Sequence, residues 1–157
     1  MLNTDNRGVN RVEGDIPFIT TEEADDIYDT IEWVAAREWC NGKVAMHGTA
    51  FAGVMCWHAA AKKPPSLACI APWEGFYDTY GGVFFRGGIF DKTMMSHILT
   101  RMFGTGGVED VVAMAEKYEE RNGYWADKTA NVEDIDIPIY ATANVNMFHC
   151  NTIDWSV

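Results

Sequence analysis

The chain has 157 residues, 48% of them hydrophobic and 13% aromatic, a globular rather than a disordered composition that supports one packed domain. It carries 23 acidic residues against 12 basic ones, a net charge of −11. Such a surface repels phosphate backbones and anionic lipid, so neither a nucleic acid nor a membrane is an expected partner.

Residues 1–19 carry turn formers (Asn6, Gly8, Asn10, Gly14, Pro17) and little periodicity, and read as loop. A helix follows over TTEEADDIYDTIEWVAAREW. Thr20 and Glu23 stand in capping-box spacing, and Ala24, Ile27, Ile31, Val34 and Ala35 fall on one face. Asn41-Gly42 is its expected stop. KVAMHG then reads as a strand, AFAGVMCWHAAAKK as a helix halted by Pro64-Pro65, and LACIAPW as a second strand. Strand, helix, strand in that span is the pattern of a parallel βαβ unit. From Gly75 to Gly107 the chain is rich in glycine and aromatics. GVEDVVAMAEKYEERN predicts another helix with Val108, Val111, Val112 and Ala115 on one face. IPIYATA is a third strand candidate, and FHCNTIDWSV could begin a last helix. The whole reads as one α/β domain over 1–157, with 75–135 as a mostly helical, lid-like insertion.

The cysteines, Cys40, Cys56, Cys69 and Cys150, have no C-x-x-C spacing and read as buried free thiols. The histidines His47, His58, His97 and His149 have no metal-ligand spacing, so no metal is expected, and no cofactor is implied. The first residues lack an apolar signal core, no run approaches the ~18 residues of a membrane span, and a cytoplasmic location is the expectation. The acidic cluster Glu22, Glu23, Asp25, Asp26, Asp29 reads as a solvated helix start.

The stretch VAMHGTAFAG, residues 44–53, has the form of a strand running through a sharp turn into a helix, where hydrolases place a serine in G-x-S-x-G. Here Ala50 holds the serine position. Five stretches in order, DNRGVNRVEGD, YDTIEWVAAREWCNGKVAMHG, AAAKKPPSLACIAPWEGFYD, RGGIF and YWADKTANVEDIDIPIYATA, make the chain resemble the X-Pro dipeptidyl-peptidase and cocaine-esterase-like α/β-hydrolases. The resemblance implies a partial α/β-hydrolase fold, mostly parallel, with a helical cap. It implies hydrolysis of acyl esters or proline-linked amides through a Ser, Asp, His triad. The family's D-x-R-G-x-G-x-S-x-G stretch falls on Asp5, Arg7, Gly8 and Gly14, with Asn10 and Val12 replacing its second glycine and its serine. By the same resemblance the Phe51 N–H is an oxyanion donor, and Trp73, Phe76 and Tyr77 border the acyl pocket.

The triad acid belongs near Asn144 to Met147, where no carboxylate stands; Asp154 lies further on. A histidine is expected later still, and strands are expected before the DNRG turn. An alanine methyl can neither attack a carbonyl nor share a proton. The expectation is therefore a degraded hydrolase, with its sheet edges open to a covering partner or a second copy. A small acyl or peptide ligand is the other expected partner. A non-catalytic binding module using the aromatic pocket or the sheet edge is the alternative. A Cys/His site built from Cys150 or Cys56 with His47 is a weaker option, and His47 itself reads as a core or strand-end histidine.

Overall fold

The computed structural model describes residues 1–8, 13–93, 96–97 and 107–143. Helix α1 spans Thr21–Ala35, and its start follows the sequence signal. The Thr20 hydroxyl accepts from the Glu23 amide, and the Glu23 carboxylate accepts from the Thr20 amide at 3.2 Å. The helix ends at Ala36, well before Asn41-Gly42. Arg37 explains the early stop: its Nε donates to the Trp33 carbonyl at 2.9 Å while its guanidinium stacks over the Trp33 ring at 4.1 Å. A last-turn carbonyl is thus satisfied without another helical residue.

Strand β1 (Val44–Thr49) pairs in parallel with β2 (Leu67–Trp73), and α2 (Phe51–Ala61) makes the crossover. The third expected strand exists in outline. Ile139 and Thr142 bridge Ile70 and Trp73 in parallel, and the Tyr140 amide donates to Ile70 O at 3.0 Å. Pro72 of β2 has no N–H to donate to Tyr140 O, so that rung is missing and the pairing stays short of a continuous strand.

An excursion follows β2. Its described part holds a π-helical turn (Tyr80–Phe84), a small hairpin of β3 (Phe85–Arg86) and β4 (Ile89–Phe90), then α3 (Val111–Lys117) and α4 (Gly123–Asp127). Gly87 and Gly88 turn the hairpin at φ of 61° and 79°, conformations closed to most side chains. α3 is shorter than its periodicity predicts because Asn122 caps a new helix, accepting from the Tyr124 amide at 2.9 Å.

Two hydrophobic clusters form the core, and α2 belongs to both. Val54 packs with Phe18, Ile19, Phe84, Val111 and Trp125. Cys56, Trp57, Ala59 and Ala60 pack with Ile31, Leu67 and Ile70. A buried lysine fastens the first cluster: Lys128 Nζ donates to Phe18 O and to Glu109 Oε2, each at 2.6 Å. Among the described residues, no helix is long and apolar enough to cross a membrane.

Candidate active site

The parallel sheet delivers the chain into a tight elbow at Gly48–Gly53. Ala50 sits at its apex with φ 54° and ψ −121°, a backbone state that side chains rarely adopt. The Ala50 N–H donates to Trp73 O at 3.0 Å, and its carbonyl accepts the first helical bond from Val54 at 2.9 Å. The strained residue is therefore held from both sides. Glycines make the turn sterically feasible. A Cβ on Gly48 would overlap the backbone of Ala52, and one on Gly53 would lie 2.6 Å from Trp73 O. Gly75, which sequence reading did not single out, is seated against the Gly53–Val54 backbone closely enough that its Cβ would overlap them too. Trp57 Nε1 donates to Gly75 O at 3.1 Å and pins that contact.

Phe51 is the first residue of α2. Its ring packs 5.8 Å from Phe18. What the apex lacks is a nucleophile. The adjacent Thr49 is an exposed strand residue whose side chain lies on the sheet face shared with Trp73.

The three aromatic pocket candidates do not converge. Trp73 is 36% exposed on the open face of the sheet, edge-on to His47 at 4.4 Å and to Tyr140 at 6.2 Å. Phe76 packs against the first cluster, while Tyr77 packs against the second, 6.2 Å from Trp57. They separate because strand alternation and the turn at Glu74 (φ 52°) send neighbouring side chains in different directions. His47 is exposed rather than a core residue, since its place in β1 points it away from α2. Cys56 is buried inside α2, its thiol donates to Ala52 O at 3.3 Å, and burial pushes its pKa up to about 12. A Cys56–His47 pair is thus ruled out. Cys40 and Cys69 are free and only partly buried, which corrects the expectation for both.

Asn10, Val12, Asn144 to Met147, His149, Cys150, Asp154 and the proposed last helix lie outside the described residues. Arg7 of the DNRG turn is a structural anchor, bidentate to Asp26 at 2.6 Å and paired also with Glu22. It borders a cavity of about 510 Å³ lined by Thr4–Arg7 and the first turns of α1, among them the buried Glu23. No residue of the elbow lines that cavity.

A strained apex between a parallel strand and a helix, cradled by close-packed glycines, defines the class: an α/β-hydrolase-like scaffold. The profile of the X-Pro dipeptidyl-peptidase (S15) family matches residues 1–148, and the chain belongs to that family. It is 37% identical over 76 residues to the cocaine esterase of Rhodococcus sp. (strain MB1 Bresler), covering 48% of this chain and 13% of the esterase. A CocE/NonD family hydrolase from Staphylococcus aureus superposes with a TM-score of 0.76 at 29% identity, covering 85% of this chain and 25% of that one. An α-amino acid ester hydrolase shares the fold, with a TM-score of 0.56 at 15% identity over 76% of this chain and 26% of its own. The chain thus spans a small part of each relative's length.

Proposed function

We propose that this chain is a catalytically silent unit of a hydrolase family whose chemistry is the cleavage of acyl-ester or proline-linked amide bonds. Ala50 carries the reading: it occupies the nucleophile's backbone conformation and offers only a methyl group. An oxyanion site and binding can accelerate hydrolysis on their own by about 10³–10⁴ over water, orders of magnitude below a complete triad. In this reading residues 75–135 are the cap-like insertion of a single partial α/β-hydrolase domain. A small acyl or peptide ligand would approach from the elbow side, where Phe51 and Phe76 lie. The test is hydrolysis of p-nitrophenyl butyrate and Gly-Pro-p-nitroanilide by the chain and by Ala50→Ser. Neither protein is expected to sustain turnover, and Ala50→Ser is expected at most to acylate once. Steady turnover by the unmodified chain would end the silent reading. Turnover gained by Ala50→Ser alone would mean that an acid and a base are both within the chain.

A second reading, an interaction module, is favoured by the outer edge of β1. That strand pairs with β2 on one side and with no strand on the other among the described residues.

A further inference from the structure

Asn41-Gly42 stands where a helix stop is expected, yet α1 ends at Ala36 and the pair lies in the exposed loop before β1. Its local geometry is that of a reactive amide. Asn41 Oδ1 accepts from the Lys43 amide at 3.1 Å, an Asx turn that draws electron density from the carboxamide carbon. The same N–H stands where charge gathers on that oxygen when the carbon is attacked. Gly42 has no side chain to shield its own nitrogen, and at φ 83° nothing comes within 4 Å of where a Cβ would stand. Among the described residues no hydrogen bond holds the Asn41 carbonyl or the Gly42 amide, so the peptide between them can rotate.

A second Asn-Gly pair, Asn122-Gly123, supplies the contrast. Its carboxamide is polarised in the same way, Oδ1 accepting from the Tyr124 amide at 2.9 Å. Its peptide is tied down, however. The Asn122 carbonyl accepts the first helical bond of α4 from the Ala126 amide at 3.0 Å, and the buried Trp125 holds that turn in the first cluster.

We propose that Asn41-Gly42 is a site of spontaneous deamidation in the folded chain, and that the α4 cap spares Asn122-Gly123. The Gly42 N–Cγ bond forms as the Cγ–Nδ2 bond of Asn41 breaks, and the Gly42 amide proton leaves with that nitrogen as ammonia. One water then opens the succinimide ring and a proton goes to solvent. Attack at the former side-chain carbonyl leaves aspartate at position 41. Attack at the main-chain carbonyl leaves isoaspartate, whose backbone runs through the side-chain methylene. Either product adds a carboxylate to a chain of net charge −11, in the segment that feeds β1 and the elbow. The proposal does not depend on whether catalysis has been lost.

The test is incubation of the full chain at mildly alkaline pH in water enriched in heavy oxygen. Peptide mapping with electron-transfer fragmentation then separates aspartate from isoaspartate at both pairs, and a parallel sample in guanidinium removes the fold. In the folded chain Asn41 is expected to convert about tenfold or more faster than Asn122, because ring closure at Asn122 gives up a helical hydrogen bond and the turn it starts. In guanidinium the two rates are expected to converge. Gly42→Ala sets a methyl beside the attacking nitrogen and is expected to slow Asn41, while Asn122 staying slow in that variant reports that the fold is kept. Equal rates at the two pairs in the folded chain, or no heavy oxygen at position 41, overturn the proposal. So does unchanged conversion of Asn41 in Gly42→Ala, which would bypass the imide. A gap between the pairs that persists in guanidinium overturns the role given to the α4 cap.

Discussion

Ala50 concentrates what is unusual in this chain into one residue. A non-glycine residue in its backbone state costs of order 1–3 kcal/mol, normally tolerated where a nucleophile must be presented. Here the strain persists without a hydroxyl to present. Replacing Ala50 by glycine removes the Cβ conflict while adding ~0.5–1 kcal/mol of unfolded-state entropy, so a net stabilisation of about 1 kcal/mol is expected. A denaturant midpoint that falls on Ala50→Gly would show that the turn is not strained. Two buried titratable residues make a second case. Burial pushes the His58 imidazole down to about 4, with Asp127 opposing and Lys128 and Lys62 assisting, and its Nε2 has no hydrogen-bond partner among the described residues. Burial pushes Glu23 up to about 7, against the hydrogen bonds from Thr20 and Asn6. Between 4 and 6.5 the unfolded chain holds one more proton at His58, so that group's contribution is full above 6.5 and lost as pH falls. Between 4.5 and 7 the folded chain holds one more at Glu23, so its contribution is full below 4.5 and lost as pH rises. Each slope is about 1.4 kcal/mol per pH unit, and the two cancel where they overlap. His58→Gln is therefore expected to lose stability as pH rises from 4.5 to 6.5, and Glu23→Gln to gain it, while the unmodified chain stays flat. Unfolding midpoints across that range check this, and parallel profiles for all three proteins would refute the compensation.

At the scale of elements, the parts legible in the sequence were those with a local cause. The capping box set the start of α1, the apolar runs set β1 and β2, and Pro64-Pro65 stopped α2. The elbow was legible too, because Gly48 and Gly53 mark close approaches that only glycine permits. What could not be read had long-range causes. The early end of α1 follows from the stacking of Arg37 on Trp33, while α3 is cut short as Asn122 caps the helix after it. Gly75 showed no local signal because the backbone it touches lies a whole element away, in α2. The placement of the aromatic trio was hidden for a similar reason. Neighbours in sequence read as one pocket, whereas strand alternation and a positive φ at Glu74 sent Trp73, Phe76 and Tyr77 to three surroundings.

The whole molecule depends on α2 more than its length suggests. Gly53 through Ala60 are all buried, so over those residues the helix has no solvent face and lies between two clusters rather than on top of one. Trp125 reports the first cluster from its centre, fully buried beside Tyr80, Phe84 and Phe85. Trp57 reports the second, and also reaches across to Gly75 beside the elbow. Neither cluster can lose its packing while α2 stays in place against the other. Lys128 adds a further tie, holding the segment before α1 to the segment before α3. The expected result is a single thermal transition: with Trp33, Trp39, Trp73 and Trp155 replaced by phenylalanine, adding Trp57→Phe or Trp125→Phe leaves one reporter, and the fluorescence and far-ultraviolet midpoints of each variant coincide. Val54→Ala, which opens a cavity in the first cluster only, is then expected to lower the midpoint seen by Trp57 as much as that seen by Trp125. A gap of several degrees between the two reporters would mean that the clusters melt separately and that α2 does not couple them.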